Sequence, residues 1–284
     1  MLKLRDGIKE VIRKTAVSLP RDVEDALKTA WEAEPDGPGK EALADILKNA
    51  VIAKGALNQN QKPLCQDSGT PVFYARVPRE LSFSVVEKAI IEGVKEASRS
   101  VPLRPNAVDV LTEKNSGDNS GLGFPEIYFE QSEEDTLVID LALKGAGSEN
   151  AGTFYKLPDE RLQAGRDLEG VRRCVLDAVH SVQGRACPPY TVGIGVAGTR
   201  LMAAALSRKA LMRRLSDGAE DQRIKELEGK LLAQINALGI GPMGLGGVCT
   251  AIGVKINCAH RHTGSYFVDV SFACWANRRG RLIW

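Results

Sequence analysis

The chain has 284 residues, 43% of them hydrophobic and 26% charged, which is the composition of a globular protein with one large core or two closely packed ones. The net charge of +2 is too small to mark a polyanion-binding surface, and an aromatic content of 5% argues against base stacking. No apolar stretch approaches the roughly 18 residues of a membrane span. We therefore expect no nucleic-acid partner and no membrane partner.

The first third of the sequence has helical periodicity, because apolar residues recur at three- to four-residue spacing between prolines and glycines. The N-terminal segment mixes charged and apolar residues and lacks the apolar centre of a secretory signal. This favours a cytoplasmic protein, in which cysteines are reduced or bound to metal. The helices predicted in this part are 4–17, 22–33, 40–55 and, after a cysteine-containing loop, 84–100.

Short apolar runs between turn residues predict strands from residue 71 onward, interspersed with helices. Thr199 is predicted to be an N-cap, and Gly239 is predicted to close the last helix. The predicted strands are 71–77, 126–129, 136–143, 191–198, 251–258 and 266–275, and the predicted helices are 168–182, 200–215 and 221–238. The fold class expected is mixed α/β in a single domain, 1–284. It has a helical region at about 1–60 and, at about 61–284, a mixed sheet with flanking helices and glycine-rich loops.

Three of the six cysteines, Cys65, Cys187 and Cys274, lie in segments rich in glycine, proline and polar residues. Three thiolates without an evident fourth partner suggest an iron–sulfur cluster with one open iron, which would act as a Lewis acid. The alternative is three ordinary thiols and no metal. The other three cysteines occur in apolar surroundings and are expected in the core, as is common for free cysteine: Cys174, Cys249 and Cys258.

Glycine-rich turns follow several predicted strands, and such turns bind anions through free backbone N–H groups. The segment 193–198 fits the spacing Gly-x-Gly-x-x-Gly, but its glycines lie within a predicted strand and no acidic partner follows. Dinucleotide binding is therefore disfavoured. A metal-free module that binds a small anion remains open as a second interpretation.

Several polar residues could take part in chemistry or have an ordinary structural role. Asp67 follows Cys65 and could orient a substrate hydroxyl, or form an Asx turn with Gly69. His262 has the side chain suited to proton transfer, or could lie in a solvated turn. Arg104 could clamp a carboxylate through two parallel hydrogen bonds, or be an ordinary surface arginine.

Four motifs together resemble the oxygen-sensitive iron–sulfur hydro-lyases, the class I fumarate hydratases and L(+)-tartrate dehydratases. The resemblance runs from about Glu41 to Arg279, and the motifs follow the family's order. They are Cys-Gln-Asp-Ser-Gly-Thr at 65–70, Lys-Gly-Ala-Gly-Ser-Glu-Asn at 144–150, Ala-Cys-Pro-Pro-Tyr at 186–190 and Arg-His-Thr-Gly-Ser at 261–265.

The resemblance implies that Cys65, Cys187 and Cys274 bind a 4Fe–4S cluster. In that family the cluster-binding module is accompanied by a smaller C-terminal module, whereas this sequence stops at Trp284. We therefore expect an α subunit that works with a β subunit on a separate chain. We also expect the α chains to form a homodimer within an α2β2 enzyme.

The resemblance also implies roles for six further residues. Asp67 and His262 would be catalytic, and the substrate-binding residues would be Gln66, Arg104, Gly145 and Gly147. The family often has threonine where Ser68 stands and glycine where Ala146 stands, and neither departure alters this chemistry.

The activity implied is the reversible hydration of fumarate to malate, with dehydration of L(+)-tartrate as the alternative, so the substrate would be a small dicarboxylate. We favour fumarate because of its central role in metabolism. Two interpretations from other classes remain: the metal-free anion-binding module, and a structural subunit whose partner carries the activity.

Overall fold

The computed structural model describes residues 2–55 and 62–284, which form two compact units. Each unit combines helices with one four-stranded sheet, so the mixed α/β class with helices first is confirmed. The expectation of a single domain stays a prediction. Unit 1 consists of Met1–Pro20, Lys48–Ala146 and Ala276–Trp284, and unit 2 consists of Arg21–Leu47 and Gly147–Trp275.

All seven predicted helices and all six predicted strands are present, and α5, β4 and β8 are additional to them. The helices are α1 (Leu2–Val17), α2 (Arg21–Ala33), α3 (Pro38–Gly55), α4 (Phe83–Ser100), α5 (Ala146–Glu149), α6 (Leu168–Val182), α7 (Arg200–Ala210) and α8 (Gln222–Asn236). The strands are β1 (Thr70–Pro78), β2 (Glu126–Ser132), β3 (Val138–Lys144), β4 (Thr153–Lys156), β5 (Tyr190–Ala197), β6 (Ala251–Cys258), β7 (Phe267–Ala273) and β8 (Arg279–Ile283). No helix in these two stretches is long and apolar enough to cross a membrane.

Unit 1 is built on a sheet with strand order β2-β1-β3-β8, in which β1 and β2 are parallel and the other pairs are antiparallel. Helices α1 and α4 contact each other closely at Gly93, where a β-carbon would lie 2.5 Å from Ile8 Cγ2. The apolar stripes of both helices and the buried side chains of β1 and β3 form one hydrophobic core.

Unit 2 is built on a sheet with strand order β4-β7-β5-β6, and every residue of β5 is buried. Thr199 caps α7 as predicted, because its side chain accepts the Met202 N–H. Gly193 and Gly195 allow α7 to pack on β5: a β-carbon on Gly195 would lie 1.9 Å from the Ala203 carbonyl oxygen. The glycine spacing at this strand therefore serves helix packing.

The two units repeat one topology, although the sequence shows no internal repeat. In each unit, the first strand is followed by one or two helices, then by a second strand parallel to the first, and then by a third strand antiparallel to the first. The order is β1-α4-β2-β3 in unit 1 and β5-α7-α8-β6-β7 in unit 2. The two sheets exchange their fourth strands. Strand β4 follows β3 along the chain but pairs with β7, and β8 follows β7 along the chain but pairs with β3.

This repetition places the family motifs at equivalent points of the two sheets. In unit 1, Cys65 lies just before β1 and Gly145 just after β3, where Thr70 pairs with Lys144. In unit 2, Cys187 lies just before β5 and Cys274 just after β7. Each unit thus presents its motif residues where its first strand begins and its third strand ends.

Candidate functional site

The turn that carries Cys65 is anchored on both sides within unit 1. Leu64 is buried and donates its backbone N–H to the Ala16 carbonyl at 3.0 Å. On the other side Gly69 has φ +81°, a left-handed conformation that favours glycine, and enters β1. Cys65 is half-buried and Gln66 is exposed, so this thiol is more accessible than a core cysteine.

Asp67 joins this turn to the glycine-rich turn after β3. Its Oδ1 accepts the Gly69 N–H at 2.9 Å, which forms the Asx turn, and its Oδ2 accepts the Ala146 N–H at 2.8 Å. The structure therefore brings together two of the predicted site residues, Asp67 and Gly145. The structural role considered for Asp67 is present, and its catalytic role stays a prediction.

The two predicted substrate-binding glycines differ in what surrounds them. Gly145 is buried, and a β-carbon on it would lie 3.0 Å from Asp67 Oδ2 and 3.9 Å from Arg278 Nη2. Among the described residues, a β-carbon on Gly147 would meet only the Arg185 carbonyl oxygen, at 3.6 Å, which is ordinary contact. A side chain at position 145 would therefore crowd Asp67, whereas one at position 147 would make only an ordinary contact.

Arg104 has a fixed backbone and an exposed side chain. Its N–H donates to Ser68 Oγ at 2.9 Å, and its carbonyl accepts a hydrogen bond from Asn119 Nδ2 at 3.1 Å. Both partners are buried, with 2% of each exposed. The main chain of Arg104 is thus tied to the residue after Asp67, while its guanidinium is exposed to solvent.

Unit 2 holds the second and third motif cysteines on neighbouring segments. Cys187 has a left-handed backbone, with φ 54°, and its carbonyl accepts the N–H of Trp275, the residue after Cys274, at 3.1 Å. The Met243 N–H donates to the Pro188 carbonyl at 2.8 Å and holds the same loop from another side. Cys187 and Cys274 are both half-buried.

His262 lies in an exposed turn of unit 2, and His260 two residues earlier is also exposed. The His262 Nδ1 accepts the Gly264 N–H at 3.0 Å, so the neutral ring carries its proton on Nε2. Arg261 builds this turn by donating to the carbonyls of His262 and Thr263. The solvated turn is therefore present, and proton transfer by His262 stays a prediction.

The remaining cysteines divide into two buried thiols and one exposed thiol. Cys174 and Cys249 are buried as predicted, and burial, with a smaller contribution from nearby carboxylates, raises the pKa of each thiol to about 12. The prediction that Cys258 lies in the core is wrong. Cys258 is the last residue of β6, where the side chains become more exposed, and it is itself exposed.

Within residues 2–55 and 62–284, no group of three or more His, Cys, Asp or Glu side chains is placed to hold a single metal ion. A 4Fe–4S cluster has a different requirement, since its thiolates bind separate iron atoms. Cys65, Cys187 and Cys274 have the donor chemistry for such a cluster: they are half-buried loop thiols. Cys174 and Cys249 do not, since a pKa of about 12 disfavours the thiolate.

Two buried polar groups were missed by sequence reasoning. Within the described part of the chain, Arg278 Nε and Nη1 and the Tyr190 hydroxyl are buried without a hydrogen-bond partner. Burial raises the pKa of the Tyr190 hydroxyl. Arg278 follows the Cys274 strand, but its burial, with 2% exposed, has no signal in the local sequence pattern.

Comparison with known proteins gives one consistent family. The profile of the fumarate hydratase (Fumerase) family matches residues 5–282. A provisionally named L(+)-tartrate dehydratase subunit alpha of Methanocaldococcus jannaschii is 40% identical over 98% of this chain and 96% of its own length. The L(+)-tartrate dehydratase subunit alpha of Escherichia coli K12 is 33% identical over 99% of this chain and 90% of its own length.

A longer relative matches equally well. A provisionally named class I fumarate hydratase of Geobacillus stearothermophilus is 38% identical over 98% of this chain. The present chain spans only about half of that relative, 54% of its length.

Proposed function

Because the chain belongs to the family of class I fumarate hydratases and L(+)-tartrate dehydratase alpha subunits, we propose that it is the cluster-binding subunit of a hydro-lyase. Its reaction is the reversible hydration of fumarate to malate. The observation that carries the proposal is the division of the cysteines. The three in the family motifs are half-buried on loops, whereas Cys174 and Cys249 are buried thiols with a raised pKa.

The proposed ligands of a 4Fe–4S cluster are Cys65, Cys187 and Cys274. When bound, such a cluster with one open iron supplies a Lewis acid for the substrate hydroxyl. The chain contributes the loops that hold the thiols, including the hydrogen bond from Trp275 N–H to the Cys187 carbonyl.

The proposed work of the other residues is binding and proton transfer. Asp67 is held by two backbone N–H groups, so its remaining lone pairs can accept a proton or a hydrogen bond from substrate. The exposed guanidinium of Arg104 can bind a carboxylate with two parallel hydrogen bonds, and Gln66 and Gly147 would complete the substrate contacts. The Nε2 of His262 carries the proton that this ring can donate.

Dehydration of L(+)-tartrate is the second candidate, and the observation favouring it is the name of two relatives that align over at least 90% of their own length. A metal-free anion-binding module and a purely structural subunit are the candidates from other classes. Measuring iron and sulfide distinguishes the metal-free anion-binding module from the hydro-lyases.

A β subunit on a separate chain is the proposed partner, in an α2β2 enzyme of the cytoplasm whose α chains form a homodimer. The name "subunit alpha" of two relatives supports a partner chain. Exposed apolar side chains on the loop after α4, Val110 at 86% and Leu111 at 89%, are consistent with a surface that another chain covers.

The test is iron and acid-labile sulfide per chain after anaerobic reconstitution, for the wild type and Cys65→Ser. We expect about four of each in the wild type and a loss of cluster and activity in the variant. The control is Cys174→Ala, which removes a buried thiol and should keep both. Wild-type protein without iron and sulfide would contradict the proposal, and so would full activity in Cys65→Ser. Fumarate and tartrate turnover with the partner chain then decides between the two hydro-lyases.

A further inference from the structure

A buried asparagine, Asn119, holds the segment 104–106, which carries Arg104. Only 2% of Asn119 is exposed, and its φ of 57° is left-handed, a conformation that asparagine adopts more readily than most residues. Its Oδ1 accepts the Asn106 N–H at 2.7 Å. Its Nδ2 donates to the Arg104 carbonyl at 3.1 Å and to Ser98 Oγ at 2.9 Å. One side chain thus fastens both ends of the segment.

The same segment is also bound to the turn that contains Asp67. The Arg104 N–H donates to Ser68 Oγ at 2.9 Å. The Asn106 Nδ2 donates to Ser68 Oγ at 3.2 Å and to the Gly69 carbonyl at 3.1 Å. Asp67 itself accepts the Gly69 N–H at 2.9 Å. The backbone of Arg104 and the carboxylate of Asp67 are therefore fixed to one hydrogen-bonded framework within unit 1.

The side chain of Arg104 is exposed, in contrast to its fixed backbone. A guanidinium that binds a carboxylate with two parallel hydrogen bonds requires a defined position and orientation. A long exposed side chain keeps several rotatable bonds, so the protein sets its position chiefly through the backbone from which it extends. Asn119 does this for Arg104, and it lies outside the four family motifs.

We propose that Asn119 is a positioning residue, which holds Arg104 in place relative to Asp67 so that the guanidinium binds one carboxylate of the substrate. The inference rests on the proposed function and deepens it. Because Asn119 is buried, it acts through Arg104 and not by touching substrate. Its effect on ligand binding therefore requires the Arg104 guanidinium, whereas a general effect on the fold would not.

The test combines Asn119→Gly with Arg104→Met. Glycine keeps the left-handed backbone and removes the amide, and methionine keeps an extended side chain without the charge. Asn119→Gly should raise the dissociation constant of succinate and the KM for fumarate by about 10-fold. A carboxylate anchor binds substrate and transition state alike, so kcat should stay within about 2-fold of the wild type. In the Arg104→Met background, Asn119→Gly should not weaken succinate binding further.

Asn236 provides a matched control in unit 2. Its Oδ1 accepts the N–H groups of Thr250 and Ala251 at 2.9 and 2.8 Å, so it fixes the backbone before β6. Asn236→Ala should lower the melting temperature, as Asn119→Gly does, because each change leaves backbone donors unsatisfied. Succinate binding should be unchanged in Asn236→Ala.

A milder variant tests the same network if Asn119→Gly does not fold. Ser98→Ala removes the hydroxyl that accepts the Asn119 Nδ2, and alanine suits its position in α4. It should weaken succinate binding by about 2- to 5-fold, and only where Arg104 is present.

Succinate binding is measured by calorimetry on the full chain, alone and with the partner chain, so this readout does not depend on turnover. If the wild type lacks a cluster and turnover, the proposed function fails, and an Arg104-dependent loss of succinate binding in Asn119→Gly would still support the inference. Unchanged binding in Asn119→Gly, or a wild type that does not bind succinate, would overturn it. An equal loss with and without the Arg104 guanidinium would overturn it too, because Asn119 would then serve only the fold.

Discussion

Gly145 is the residue at which packing and the proposed chemistry are most tightly linked. Alanine at this position would place its β-carbon 3.0 Å from Asp67 Oδ2, so the carboxylate or the turn has to shift. Because catalysis is sensitive to displacements below 1 Å, we expect Gly145→Ala to lower kcat by about 10- to 100-fold. Steady-state kinetics with fumarate measures this, and iron content shows whether the proposed cluster is retained.

Two other glycines provide the comparison. Gly147→Ala introduces only an ordinary 3.6 Å contact, so any loss of activity in that variant would report space used by substrate. Gly229 lies on the exposed face of α8, and no described atom beyond the helix backbone lies within 4 Å of its β-carbon position. Gly229→Ala should therefore stabilise the protein by about 0.5–1 kcal/mol without changing kcat. Unchanged kcat in Gly145→Ala would show that Asp67 tolerates displacement.

At the residue scale, sequence reasoning found the motif residues but not their surroundings. The turn formed by Asp67 and Gly69 could be predicted, because the hydrogen bond is local to the motif. The bond from Ala146 N–H to Asp67 joins residues far apart in the sequence and required the pairing of β1 with β3. The burial of Arg278 depends on that pairing as well, since β8 extends the same sheet.

At the scale of elements, one carboxylate anchors the glycine-rich loop before β6. Glu34 follows α2 and is 2% exposed, and it accepts the N–H groups of Val248 and Cys249, each at 2.9 Å. Gly247 allows the contact, because a β-carbon there would lie 1.7 Å from Glu34 Oε1. The anchored loop in turn supports the Cys187 loop through the Met243 N–H bond to the Pro188 carbonyl.

We therefore expect Glu34→Gln to lower the free energy of unfolding by about 2–3 kcal/mol. The amide turns an NH2 group towards one of the two N–H donors and leaves a buried donor unsatisfied. Urea denaturation measures the change. Glu32→Gln is the control, because Glu32 lies on the exposed side of α2 and should be neutral. Equal stability of the two variants would show that the loop is held by other contacts.

The elements that sequence reasoning missed or overextended are those set by distant contacts. Helix α7 was predicted to reach residue 215, but it ends at Ala210. The Leu215 N–H bonds to Asp22 Oδ2 at 2.7 Å and the Leu215 carbonyl to Lys255 Nζ at 3.0 Å, so the backbone there is satisfied outside the helix. Strands β4 and β8 are short edge strands. Each pairs with a strand far from it in the sequence, β4 with β7 and β8 with β3.

At the scale of the whole molecule, the exchange of fourth strands makes unit 1 depend on three separate parts of the chain. Its core contains α1 from the N-terminal segment, and its sheet is extended by β8 from the C-terminal segment. These two elements meet at Gly280, where a β-carbon would lie 2.2 Å from Thr15 Oγ1 and 2.9 Å from Val11 Cγ2. Contacts of such long sequence separation are costly to form, so unit 1 is expected to require the complete chain to fold.

Gly280→Ala tests this dependence. The methyl group has to displace buried Thr15, whose hydroxyl is already bonded to the Val11 carbonyl at 2.7 Å, and overpacking of this kind typically costs about 1–3 kcal/mol. We expect hydrogen exchange to accelerate in α1, β3 and β8 more than in α6 and β5, since the strain arises in unit 1. Gly121→Ala is the control, because no atom of residues 2–55 or 62–284, its chain neighbours aside, lies within 4 Å of its β-carbon position. Uniform acceleration in both units would instead mean that the two units unfold as one cooperative structure.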